Sequence, residues 1–192
     1  MKTINAVKVL VVLVSVVGLT FVSCKKDDKT KPVIPVKVED VNGNYSGKLM
    51  VTQGTAKMES TIALSSKTNT ISIADLPVSQ IVLSVVKDTQ VAQEIVKKLG
   101  KVKYDLSYTA KVNTAKTGVD LTFAPKPIEL QFAVNNVNKK VVANVVAGPV
   151  GVYTGKTKTL KFGITIDKVT VDGTAITPLA PIAYDFQSLV KK

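Results

Sequence analysis

Residues 102–112, with the sequence VKYDLSYTAKV, decide the fold, because apolar and polar side chains alternate over the whole stretch. A period of two is that of a β-strand with one face buried and the other in water. The apolar face carries Tyr104 and Tyr108, and we expect both rings to lie in the core. The framework of the protein is therefore predicted to be a half-buried sheet.

A second alternating segment, residues 119–123, is the predicted partner of this strand. Pairing Val112 with Val119 sets apolar side chains opposite one another along one face. The same register brings Lys111 opposite Asp120 on the other face. Because both faces favour one register, the two segments are predicted to form a hairpin.

Turn signals divide the rest of the chain into further alternating segments. Residues 45–73 read as a small meander, and residues 128–147 as a second hairpin whose loop is at 135–138. Asp172-Gly173 is a strong signal for a two-residue hairpin turn. Residues 184–186 are the candidate for closing the sheet near the C-terminus.

Two segments between these strands have helical spacing instead. Apolar residues recur at three- and four-residue intervals in 78–86 and again in 91–99. Asp88 or Thr89 is the expected cap of the second helix, and Gly100 its end.

These patterns together predict an α+β domain that is mostly β. We expect an antiparallel, β-sandwich-like arrangement of about nine short strands, because short strands separated by regular turns are typical of sandwiches. The insertion of one or two helices is predicted at about residues 75–100. The sequence contains no convincing internal repeat.

The composition excludes several kinds of chemistry. All 26 basic residues are lysine, the chain has no Arg, His or Trp, and Cys24 is its one cysteine. Without histidine there is no Ser-His-Asp triad and no imidazole ligand, and without a second cysteine there is no disulfide. We therefore expect a protein that is not an enzyme and that binds no metal and no cofactor.

The 14 Asp and Glu residues leave one enzymatic alternative open. Two carboxyl groups about 5 to 9.5 Å apart could act as a glycosidase pair. Most of these residues, however, occupy positions typical of helix caps, turns and polar strand faces. They also do not cluster at the spacing of a calcium loop.

The N-terminus has the pattern of a secretory signal. Lys2 and Lys8 precede an apolar run, residues 9–22, whose 14 residues are fewer than the roughly 20 that span a bilayer as a helix. The run stops at Cys24, where charged residues begin. We predict a signal peptide at 1–23, a tether at 24–41 and a single β-rich domain at 42–192.

The end of this signal resembles that of bacterial lipoproteins. Phe21-Val22-Ser23-Cys24 carries the resemblance, which implies cleavage before Cys24 and lipid attachment to its thiol. The five residues Cys24, Lys25, Lys26, Asp27 and Asp28 also resemble the start of many Bacteroidetes lipoproteins. In those proteins the lysines and acids act as a surface-export signal, and the resemblance implies an outer-membrane protein that faces the cell exterior. With its strand-rich pattern, the chain is similar to small Bacteroidetes lipoproteins of uncharacterised families.

The charge of the processed chain indicates what it could bind. Removal of the signal leaves 24 lysines against 14 acids, an excess of ten positive charges. A solvated, lysine-rich surface explains this most simply, and an anionic envelope polymer or glycan is the functional alternative. Nucleic acid is not expected, because base and phosphate recognition usually depends on arginine. Tyr153, between two glycines, is the candidate for an exposed ring that contacts a glycan.

These observations predict a lipid-anchored surface protein that serves as a non-enzymatic binding or structural module. The alternatives are a carboxylate-based glycan hydrolase and a fimbria- or pilus-associated assembly protein. An open sheet edge that awaits a donor strand would favour assembly. The sequence leaves the oligomeric state undetermined.

Overall fold

A computed structural model describes residues 35–192, which are built mainly from β-strands. A short 3-10 helix at Val38–Val41 precedes eleven strands, and the helices α1 (Ser79–Val86) and α2 (Thr89–Leu99) lie between β3 and β4. The strands are β1 (Gly43–Gln53), β2 (Ala56–Lys67), β3 (Thr70–Ile73), β4 (Tyr104–Val112), β5 (Gly118–Ala124), β6 (Ile128–Val134), β7 (Val137–Ala147), β8 (Gly151–Thr154), β9 (Thr159–Val171), β10 (Thr174–Ala175) and β11 (Ile182–Lys191).

Eight strands close into an antiparallel barrel in the order β1, β2, β3, β4, β5, β8, β9, β11. The ring is complete because β11 pairs with β1 on one side and with β9 on the other. The remaining strands extend the sheet beyond the barrel: β7 pairs with the second half of β9, β6 pairs with β7, and β10 pairs with the end of β9.

The predicted sandwich is therefore wrong. A sandwich consists of two separate sheets, whereas here the hydrogen-bonded ladder runs continuously around the ring. The physical reason lies in β9, whose 13 residues are long enough to pair with β8 and β7 along one edge and with β11 and β10 along the other. The prediction of about nine short strands is corrected to eleven, several of which are long.

The hairpin of β4 and β5 has the predicted register. Val112 pairs with Val119, and Lys111 pairs with Asp120. Tyr104 and Tyr108 are both buried, as the alternation predicted. The period of two was sufficient here because a shift by one residue would have exposed the whole apolar face.

The second predicted hairpin forms with a shorter loop than expected. Only Asn135 and Asn136 are in the turn, with φ angles of 51° and 63°, and Val137 already pairs with Val134. Asparagine tolerates the left-handed region better than most residues, so two asparagines are enough to reverse the chain. The turn predicted at Asp172-Gly173 is confirmed, since Val171 pairs with Thr174.

Both predicted helices are present, and α1 covers one end of the barrel. Ile81 and Val82 of α1 are fully buried. The Gln53 amide at the end of β1 donates a hydrogen bond to the Ser84 hydroxyl at 3.0 Å, and the Tyr184 hydroxyl on β11 donates to the carbonyl of Pro77 at 2.8 Å. The helix is thus held where β1 ends and β11 begins.

The cap of α2 resolves the alternative left by the sequence. The carboxylate of Asp88 accepts hydrogen bonds from the backbone N–H groups of Gln90 and Val91 at 2.9 and 3.0 Å, so Asp88 is the N-cap. Gly100, with φ of 65°, ends the helix as predicted.

The barrel interior is filled by apolar and aromatic side chains. Phe162 on β9 and Phe186 on β11 pair directly across the strands that close the ring, and their rings stack with centroids 4.2 Å apart. The ring of Phe123 on β5 packs against Phe162 at 5.2 Å. The barrel interior is therefore a packed core and not a channel.

Because several tyrosines are buried, we predict that the protein loses stability at alkaline pH. Desolvation by burial raises the pKa of Tyr104 to about 12 and also raises the pKa of Tyr45 and Tyr184 above the ordinary value. Because the unfolded chain ionises its tyrosines near pH ~10 while the folded chain keeps them protonated, the stabilisation is complete below that pH. It is lost as the pH rises toward the pKa values of the folded state.

We expect tyrosine absorbance at 295 nm and the loss of β-sheet circular dichroism to change together well above pH 10. Tyr184→Phe should reduce the loss of unfolding free energy at alkaline pH. The lysines titrate in the same range, but they are the same in the variant and in wild type, so the difference between the two proteins excludes their contribution. Tyrosines that ionise near pH 10 in an intact fold would contradict this prediction.

Candidate functional site

The end of the barrel opposite α1 is strongly basic. It is formed by the lead-in segment, the β2–β3, β4–β5 and β8–β9 turns, and the end of β11. We call this surface the basic end and define it by the lysines that these segments contribute: Lys37, Lys67, Lys116, Lys156, Lys158, Lys191 and Lys192.

Backbone hydrogen bonds between these segments make the basic end one surface. The N–H of Gly155 donates to the carbonyl of Thr117 at 3.0 Å, which joins the β8–β9 and β4–β5 turns. The N–H of Lys191 donates to the carbonyl of Lys158 at 2.9 Å, and the N–H of Lys192 donates to Asn44 at 2.8 Å. The lysines therefore project from a fixed framework.

The lead-in segment is part of this framework. Val41 is fully buried, and the Tyr45 hydroxyl donates to its carbonyl at 2.6 Å. The N–H of Val36 donates to the carbonyl of Lys116 at 3.2 Å, and a Cβ added at Gly155 would collide with the Val36 side chain. Residues 36–41, which the sequence analysis assigned to the tether, thus pack against the barrel.

The lysines of the basic end lack carboxylate partners among the described residues. The four ion pairs of residues 35–192 use other lysines, at positions 48, 103, 139 and 140. In the segments that form the basic end, the carboxylates are Glu39 and Asp40, and Asp40 accepts the backbone N–H of Lys37 at 2.8 Å. The positive charge of this surface is thus balanced by few nearby acids.

The opposite arrangement is found where the sheet extends beyond the barrel. There the ammonium of Lys139 contacts Asp172 at 2.8 Å, and that of Lys140 contacts Glu129 at 3.1 Å. Lys139 and Lys140 of the extension are thus paired, whereas the lysines of the basic end have no ion-pair partner within residues 35–192.

The described carboxylates mostly have structural partners. The pKa of Asp105 lies below its usual range, mainly because the side chain of Ser72 donates a hydrogen bond to it and secondly because Lys103 does so too. Hydrogen bonds from Lys139 and from the backbone of Lys140 do the same to the pKa of Asp172. A glycosidase acid requires the opposite direction, a raised pKa. Within residues 35–192, no group of three or more Asp, Glu, His or Cys could hold a metal ion.

Tyr153 is buried, so the exposed ring predicted for it is wrong. Its side chain is 3% exposed, and its ring packs edge-on against that of Tyr45 with centroids 6.5 Å apart. The prediction relied on its place between two glycines, but Gly151–Thr154 is β8, a strand of the barrel, and Tyr153 points inward. The neighbouring Val152 points outward instead and is 39% exposed.

An apolar groove on the barrel wall is a feature that the sequence analysis missed. Gly163 and Ala183 line it with the Gly148-Pro149-Val150 loop, and its volume is about 370 Å³. Lys161 and Asp185 also lie among its lining residues. The signal in the sequence is weak, because small residues at outward strand positions are common.

The predicted lipidation and export residues, Cys24, Lys25, Lys26, Asp27 and Asp28, lie outside the described residues. Within residues 35–192, neither α1 nor α2 has the length and apolar character that crossing a bilayer requires.

Comparison with known proteins identifies a family. Residues 40–171 match a family described as a domain of unknown function, DUF4840. The chain belongs to the DUF4840 family. It matches none of the curated proteins and none of the solved structures with which it was compared.

The DUF4840 match covers most of the barrel but not all of it. It ends at Val171, whereas β11, which closes the ring between β1 and β9, lies beyond that point. The match includes Lys67, Lys116, Lys156 and Lys158 of the basic end. The closing strand and the remaining lysines of this surface are supplied by residues outside the matched range.

Proposed function

We propose that this DUF4840 chain is a non-enzymatic binding module that is anchored to the outer membrane by a lipid on Cys24 and faces the cell exterior. Its basic end binds an anionic partner of the envelope. The observation that carries the binding proposal is the surface of seven lysines without ion-pair partners among the described residues.

Electrostatics supports an anionic partner of this kind. Seven ammonium groups on one end create a positive potential that raises the local concentration of anions and speeds their association. The backbone that carries them is held by hydrogen bonds, so binding need not order a loop first. Lysines act here as point charges, which suits a repetitive polymer or glycan better than a single planar group.

The proposal of a lipid anchor depends on the sequence of the leader. The one cysteine of the chain follows an apolar run that is too short to span a bilayer as a helix. Acyl chains contribute about 0.8 kcal/mol per buried methylene, and two or three chains are needed for stable anchoring. The Lys25-Lys26-Asp27-Asp28 run supports export to the outer face by its resemblance to surface-export signals.

Mass spectrometry of the mature protein from membranes tests the anchor. We expect an N-terminal Cys24 that carries acyl chains, and loss of the domain when intact cells are treated with protease. The Cys24→Ala variant should be absent from the membrane fraction. Ser23→Ala is the control, because it keeps the thiol and should remain in that fraction. A free, unacylated N-terminus in the wild type would refute the anchor, and resistance to protease in intact cells would refute the exterior location.

A role in fimbrial or pilus assembly is the second candidate. One observation favours it: β6 has a neighbour, β7, on one edge, and no other described strand pairs with its second edge. Such an edge can accept a strand from another chain. The closed ring and filled core, however, contain no place for a donor strand. Concentration-dependent oligomers that Ala133→Pro on β6 abolishes would favour this role over the first.

A further inference from the structure

We infer that the anionic partner of the basic end is the phosphate-bearing headgroup layer of the membrane that anchors the chain. This inference rests on the proposed function and names the partner of its site. It depends on where the chain enters the barrel and where the lysines of the basic end lie.

The chain enters the barrel at the basic end. Pro35 is the first described residue, and Val36 hydrogen-bonds to Lys116 in the β4–β5 turn. The ammonium of Lys191, on the closing strand, donates to the carbonyl of Asp40 at 2.8 Å, which fixes the segment at a second point. The place at which the described chain joins the barrel is thus fixed by the fold.

An anchor on Cys24 limits how far this end can be from the membrane. Ten residues lie between Cys24 and Pro35 in sequence, and the eleven steps of a fully extended chain, each at most about 3.5 Å, cover about 40 Å. The lipid therefore keeps the basic end within about 40 Å of the bilayer, and the tether sets no such limit directly on the α1 end.

Charge then favours direct contact between the basic end and the headgroups. Lysines near an anionic membrane surface each contribute about 1 kcal/mol of attraction within a Debye length of about 8–10 Å. The α1 end is basic as well, because its lysines outnumber carboxylates such as Asp75, Asp88 and Glu94. The point at which the chain enters the barrel, rather than charge alone, therefore selects the basic end for the membrane. The barrel is consequently oriented with α1 and the β6 edge pointing away from the membrane.

Vesicle flotation with an unacylated chain tests this inference separately from the anchor. The protein is the chain from residue 24 onward, which includes every described residue, with Cys24→Ala so that no lipid contributes. It is mixed with vesicles of phosphatidylcholine alone or of phosphatidylcholine and phosphatidylglycerol. We expect binding to the second kind only, and weaker binding as salt is raised.

Two charge-matched triple variants locate the contact. Lys67→Glu, Lys156→Glu and Lys192→Glu change exposed lysines of the basic end, and we expect at least a ~100-fold loss of vesicle binding from three reversed charges. The control variant carries Lys57→Glu, Lys101→Glu and Lys126→Glu at the α1 end, with the same net charge. The loss of vesicle binding in the control variant should be less than about a tenth of the loss in the basic-end variant. Circular dichroism verifies that both variants fold.

Three results would overturn the inference: no binding to phosphatidylglycerol vesicles, equal losses in the two triple variants, or tighter binding to soluble dextran sulfate than to vesicles at equal anionic charge. The last result would assign the basic end to a free polymer. Because none of these measurements uses the acylated protein, failure here is distinct from failure to find a lipid on Cys24.

Discussion

Replacing Phe162 by alanine is expected to lower the free energy of unfolding by about 3–5 kcal/mol. The side chain is 3% exposed, and its ring stacks on Phe186 at 4.2 Å and contacts Phe123 at 5.2 Å. Alanine removes the ring from the middle of the core and leaves a cavity that three strands of a closed ring cannot easily collapse to fill. Urea unfolding followed by circular dichroism measures the change.

The position of Phe162 makes this effect specific to the closing strands. Phe162 and Phe186 are opposite one another on β9 and β11, so both rings are part of the ring closure. Val190→Ala on β11 is the control, because Val190 is 51% exposed and its loss should cost less than about 0.5 kcal/mol. Equal destabilisation by the two substitutions would show that the stacked rings do not form the centre of the core.

Replacing Ile81 by alanine is expected to destabilise the protein by about 2–5 kcal/mol. Ile81 is fully buried in α1, the helix that covers one end of the barrel. Alanine is a better helix former than isoleucine, so the loss measures packing rather than helix propensity. Hydrogen exchange should increase most in α1 and in the adjoining ends of β1 and β11.

A surface position on the neighbouring helix provides the control for Ile81. Val91 on α2 is 42% exposed, and Val91→Ala should leave the unfolding free energy within about 0.5 kcal/mol of wild type. If Ile81→Ala unfolds at the wild-type urea concentration, α1 is not a part of the core.

The two predictions that concern the core follow from features that the sequence revealed only in part. Alternation identified Tyr104 and Tyr108 as inward-facing, because a period of two fixes the face on which each side chain lies. It could not show that Phe162 meets Phe186, since 23 residues separate them and pairing between distant strands leaves no local pattern.

Tyr153 illustrates the limit of local reasoning about a site. Glycines on both sides led to the prediction of an exposed ring, yet the segment is a barrel strand. Its Gly151 lies against the Phe123 ring, because a Cβ at Gly151 would approach that ring to 2.6 Å. Glycine here permits close packing rather than a turn. Flanking glycines are therefore compatible both with an exposed tyrosine and with a tyrosine buried in a strand.

The basic end shows what tertiary structure adds to charge. The sequence determined that the chain is rich in lysine and lacks arginine and histidine, which excludes a Ser-His-Asp triad and makes base recognition unexpected. Only the fold brought lysines from positions 37 to 192 to one end of the barrel, because the direction of each strand decides which turns are neighbours.

The sequence by itself determined most of the strands, the two helices, the β4–β5 register and the Asp172-Gly173 turn, since each depends on contacts between residues close in the chain. Tertiary structure alone decided between a sandwich and a barrel. That choice depends on whether β11 pairs with both β1 and β9, and the hydrogen bonds that close the ring join backbone groups, which every sequence contains.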